Sequence, residues 1–140
     1  MALTHKYTLL CDEIRQENNG KFLIIGLYTP DMTVGAIPFV VPALSFFVCM
    51  ESDAGGTVDI NFRLTHGNNI IGGGSARMGI ARAGMVVLPL RLGPLQLPGA
   101  GTYTFTIEVS GQSEPFSTNF DVTLVAQGQP GMPPGPGIVH

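Results

Sequence analysis

The side chains able to do chemistry are few and poorly spaced for it. His5, His66 and His140 stand far apart along the 140 residues, and Cys11 and Cys49 sit inside apolar runs. A structural zinc site draws its ligands in pairs such as Cys-x-x-Cys or His-x-x-x-His, and neither spacing occurs. No serine lies in a Gly-x-Ser-x-Gly elbow. A nucleophilic cysteine wants an electropositive, partly exposed setting. Leu9-Leu10-Cys11 and Phe47-Val48-Cys49 instead read as buried thiols packing like small hydrophobes, with an inter-strand disulfide as the alternative. Asp31, Asp53 and Asp59 would make a calcium site only if their loops clustered, and they read as solvated turn residues. Asp12, Glu13 and Arg15 read as a polar face with local ion pairing. The expectation is a chain without catalytic residues, metal or cofactor.

The segment from Gly72 to Gly84, G-G-G-S-A-R-M-G-I-A-R-A-G, carries Arg77 and Arg82 and invites comparison with a phosphate cradle. It lacks Gly-Lys-Ser/Thr, and no helix pattern follows to deliver an N-terminus to a phosphate. It reads as a glycine-rich inter-strand loop, or an arm that orders on a partner.

The elements that would position any site are strands. Thr57 to Thr65 alternates, with Val58, Ile60, Phe62 and Leu64 on one side. Thr102 to Val109 does the same with Tyr103, Phe105, Ile107 and Val109, and Phe116 to Val125 with Phe120, Val122 and Leu124. Tyr7 to Arg15 and Lys21 to Thr29 read as a hairpin closed at Asn19-Gly20 by a type I′ turn. Phe22-Leu23-Ile24-Ile25 is apolar on both faces, which places that strand centrally. Leu44 to Met50, a short run at Ile70-Ile71, and Met85 to Leu92 complete the set, Pro89 marking an edge or bulge. Seven or eight short strands between turns predict an all-β antiparallel sandwich, immunoglobulin-like, with a small barrel as the alternative. Residues 1–125 form the domain. Residues 126–140, rich in Pro and Gly, form an extended tail.

Charge is scarce. Charged residues make up 12% of the chain, against about 25% in an ordinary soluble domain. The net charge of −3 argues against a nucleic-acid surface. Met32 to Met50 is uncharged, but Pro38 and Pro42 break it as a membrane helix and its flanks are acidic. No secretory leader precedes Tyr7, so the cytoplasm is the expected compartment, or a virion if the gene belongs to a phage.

Leu9-Leu10-Cys11-Asp12-Glu13-Ile14-Arg15, Asn19-Gly20-Lys21 and Ile24-Ile25-Gly26-Leu27-Tyr28 resemble the opening hairpin of a family of small uncharacterised bacterial proteins, a domain of unknown function. Pro98-Gly99, Gly101-Thr102-Tyr103-Thr104-Phe105 and the strand from Phe116 to Val125 resemble its close. The resemblance spans residues 5–125. It implies a sandwich and brings no catalytic residues with it.

Low charge with no reactive constellation points to a non-catalytic subunit acting through protein–protein contacts. It would self-associate or join a larger assembly, such as a capsid decoration protein of a phage. The expected contact residues are Ile37, Phe39, Val40 and Val41 in an apolar loop, and Arg77, Met78 and Arg82 in the glycine-rich segment. Pro130, Met132, Pro133, Pro134, Pro136 and Ile138 in the tail complete the set. No nucleic acid, membrane or small-molecule substrate is expected. The alternative is a small-ligand or carbohydrate-binding module of a bacterial cytoplasmic protein, against which the absence of Trp weighs.

Overall fold

In the computed structural model, which describes residues 1–29 and 31–125, every regular element is a strand. The long ones are β1 (Leu3–Gln16), β2 (Phe22–Tyr28), β5 (Leu44–Ser52), β6 (Gly56–His66), β7 (Asn69–Ile80), β8 (Gly84–Leu92), β10 (Gly101–Val109) and β11 (Phe116–Leu124). Three strands of three residues each, β3 (Met32–Val34), β4 (Phe39–Val41) and β9 (Leu95–Leu97), join them. Seven of the eight long strands match the sequence expectation, and β7, expected only as a short run at Ile70-Ile71, is twelve residues long. The short ones lie below the length at which alternation is legible.

Two sheets face each other. One has the order β2-β1-β5-β8, the other β3-β11-β10-β6-β7, and a small β4-β9 ladder accompanies them. All pairings are antiparallel except β3 with β11, which is parallel. The inward-facing residues follow the period of two: Val58, Ile60 and Leu64 from β6, Tyr103, Phe105, Ile107 and Val109 from β10, and Phe120 and Val122 from β11 are all buried. Against them stand Phe46, Val48 and Met50 of β5 and Leu88 and Leu90 of β8. Phe46 and Phe105 join the two layers by stacking at 3.7 Å between ring centroids. Leu124, expected inward, is 52% exposed, because the inward alternation of β11 ends at Val122.

The glycine-rich segment is not a loop. Residues 72–80 form most of β7, in register with β6 from Gly56↔Ile80 to Leu64↔Gly72. The absence of side chains at Gly72, Gly73 and Gly74 is what permits this. A methyl group on Gly73 would lie 2.5 Å from the Phe62 carbonyl oxygen, so close backbone approach substitutes for side-chain packing. The stretch from Met32 to Pro42 is likewise no exposed loop. Met32, Val34 and Val41 are buried, and Ile37 and Phe39 pack on the core.

The first hairpin closes differently from expectation. Glu17 and Lys21 bond across a three-residue loop, Gly20 N–H donates to the Glu17 carbonyl at 2.9 Å, and of the three loop residues only Gly20 has positive φ, +88°. That is the three-residue hairpin with a left-handed glycine. Asn19 turns its side chain to the Lys21 N–H instead of taking positive φ.

Candidate interaction surface

β2 was expected in the middle of a sheet and stands at its edge. Its two apolar faces have separate uses. Phe22, Ile24 and Tyr28 are half-buried, and Phe22 meets the ring of Phe47 edge-on at 5.3 Å. Phe47 points away from the central core and also stacks on Tyr7 at 6.5 Å. Ser45 Oγ donates to the Asp12 carbonyl at 3.4 Å, and Glu13 and Ile14 share a small cavity with Pro89 and Arg91 of β8. The far half of the hairpin thus folds back over the outer surface of its own sheet. Cys11 has no exposure and Cys49 nearly none. Both thiols are free, and burial, with the neighbouring Asp12 charge, pushes the Cys11 pKa up.

The opposite face of β2 is open. Leu23, Ile25 and Leu27 are 45%, 37% and 47% exposed and form one row along the strand. They stand beside Arg15, Glu13 and Cys11 of β1 in register, and the Arg15–Glu13 ion pair, 3.3 Å, borders them. Three adjacent large apolar side chains on an edge strand differ in kind from the scattered exposures of Ile70 and Met85, which are ordinary. The sequence carried the signal: seven residues, Phe22 to Tyr28, without a charge and apolar on both faces. A buried central strand explains that pattern as well as a covered face plus a binding face does.

A second feature lies where the hairpin meets β4. A groove of about 510 Å³ is bounded by Asp12, Glu13, Tyr28, Phe39, Val41 and Arg91, among others. The Tyr28 hydroxyl donates to Asp12 Oδ1 at 2.8 Å. Burial first, then this carboxylate, raises the tyrosine pKa well above its usual value.

The residues expected to make contacts are dispersed. Ile37, Phe39 and Val41 serve the core instead, since the apolar stretch covers inward-facing residues of the sheets. Val40 stays 60% exposed. Arg77 Nε donates to Asp59 Oδ1 at 2.8 Å across β6 and β7, which lowers the Asp59 pKa and raises that of Arg77. Met78 packs against the core on the other face of β7. Arg82 is exposed on the turn into β8. Pro130, Met132, Pro133, Pro134, Pro136 and Ile138 lie outside the described residues. The histidines within the described residues have structural partners: His66 Nδ1 pairs with the Thr102 carbonyl at 3.1 Å and its ring stacks on Tyr103, while His5 Nε2 lies 2.7 Å from Thr8 Oγ1. Among the described residues no group of three His, Cys, Asp or Glu side chains is placed to hold a metal ion, and no helix is long and apolar enough to cross a membrane.

Residues 6–123 match a family described as "Family of unknown function (DUF6941)". No curated protein matches the chain. Among solved structures, the chain is similar to part of a β-glucosidase from Listeria innocua in complex with glucose, at 10% identity and a TM-score of 0.47, and of the β-glucosidase EmGH1 from Erythrobacter marinus, at 9% and 0.47. Each alignment covers 87% of this chain but only 16% and 15% of the enzyme's, so the chain spans about a sixth of the proteins it matches.

Proposed function

This chain belongs to DUF6941, a family of unknown function, and we propose on that footing that it is a non-catalytic contact module binding protein through the open face of β2. The observation that carries this reading is the row Leu23, Ile25 and Leu27, exposed on an edge strand whose other face is already used. Burying such a row releases water from apolar surface, about 25 cal/mol per Å². An edge strand adds main-chain hydrogen bonds when another strand joins it. The low charge of the whole chain agrees with a surface that spends its time covered. A virion accessory role is one such assembly, and composition alone supports it.

The test is the native mass of tagged full-length protein in an extract of the cells that make it. The expected result is a complex well above the 14.8 kDa chain. The double variant Leu23→Lys, Leu27→Lys should lose that complex and keep its circular dichroism. A wild-type chain running at its own mass in the extract overturns the reading.

A second reading, a small-ligand module, is favoured by the groove beside Tyr28 and Phe39. Its volume falls within the range of small-molecule sites. It predicts that a mono- or oligosaccharide raises the melting temperature of the wild type but not of Tyr28→Ala.

A further inference from the structure

Resting on the contact role of β2, we infer that the partner is a second copy of this chain, with β2 pairing antiparallel to β2 about a twofold axis through Ile25. The strand reads nearly the same in both directions about that residue. In the register centred on Ile25, Leu23 faces the partner's Leu27, Phe22 faces the partner's Tyr28, and Ile25 faces itself. The exposed row of one copy therefore continues into that of the other on the same side of the joined sheet, as a self-complementary isologous contact requires.

Charge agrees with this register. Phe22 to Tyr28 carries none, so the twofold brings no like charges together. Edge strands are commonly guarded by lysine, proline or a bulge. β2 has neither lysine nor proline. Its one guard is the bend at Gly26, φ +69°, which lies off the axis opposite the partner's Ile24, where a residue without a side chain leaves that isoleucine room. The result is a ribbon β1-β2-β2-β1 joining two molecules, in which the bordering Glu13 and Arg15 form a polar rim around the apolar row.

Sedimentation of the purified full-length protein tests this. The wild type should have twice the chain mass. Ile25→Lys and Ile25→Glu should each be monomeric, and an equimolar mixture of the two should recover the dimer, because residue 25 meets its own copy. Directly opposed residues on antiparallel strands lie within disulfide reach, about 4.5–5.5 Å between Cα atoms. Under mild oxidation I25C should therefore cross-link into dimers much faster than the exposed control S113C, and this variant keeps its fold whether or not the charged ones do. A monomeric wild type, or I25C that cross-links no faster than S113C, overturns the self-pairing. If the native complex in the cell extract survives that outcome and still depends on Leu23 and Leu27, the contact role of β2 stands with a different partner. If no such complex exists, both fall.

Discussion

Tyr28 holds Asp12 across the first hairpin, its hydroxyl donating to the carboxylate at 2.8 Å from the neighbouring strand. The neutral phenol is the form that donates, and burial favours it as well, so the folded chain keeps the proton to a higher pH than the unfolded one. The sign follows. The contribution is complete below the ordinary tyrosine range, about pH 10, and is lost as pH rises beyond it. Tyr28→Phe should cost about 1 kcal/mol at pH 7. It should also flatten part of the alkaline fall in stability, leaving the share due to Tyr103, which burial also raises. Urea melts of both proteins from pH 7 to 11.5 check this. Parallel curves would contradict it.

Gly26 makes that contact possible. A methyl group there would lie 2.2 Å from Asp12 Oδ2, and φ is +69°. Gly26→Ala should destabilise by more than the about 1–2 kcal/mol of a left-handed alanine, because the carboxylate must also move. The midpoint of urea unfolding measures it, and a loss under about 0.5 kcal/mol would show that the hairpin relaxes freely.

The centre of the core and the rim of β7 should respond at opposite extremes. Phe105 stacks on Phe46 between the sheets, and Phe105→Ala should cost about 3–5 kcal/mol. Arg77 pairs with Asp59 in the open, and Arg77→Ala should leave the melting curve almost unchanged. Thermal melts of the two variants side by side decide this.

The thiols should be slow. Cys11 and Cys49 are buried and the Cys11 pKa is raised, so a thiol reagent at pH 8 should label neither until the protein opens. Phe22→Ala removes the ring that meets Phe47 and should speed labelling many-fold with a smaller change in global stability. Equal labelling rates in the two proteins would show that the hairpin does not guard the thiols.

Much of the sandwich is legible in the sequence, because β6 and β10 bury one face each and alternation reports that directly. Three things were not legible. β7 has glycine at four of its twelve positions, three of them consecutive, and that interruption hides its alternation. β3, β4 and β9 are too short to show a period, so Ile37, Phe39 and Val41 looked like a free patch when they are cover. β2 is apolar on both faces, and composition cannot tell two buried faces from one buried face and one left open. Leu23, Ile25 and Leu27 were thus visible as residues and missed as a surface.

The parallel pairing of β3 with β11 carries a consequence for synthesis. It joins Thr33 to Thr123, 90 positions apart, and β11 is the last strand of the described chain. On the ribosome, Met32 and Val34 emerge early and wait for nearly the whole domain before their sheet exists. The first hairpin, by contrast, needs only residues close to one another. A growing chain therefore displays the sticky row of β2 well before its core can close, and neighbouring nascent chains on one messenger could meet through it before either is finished.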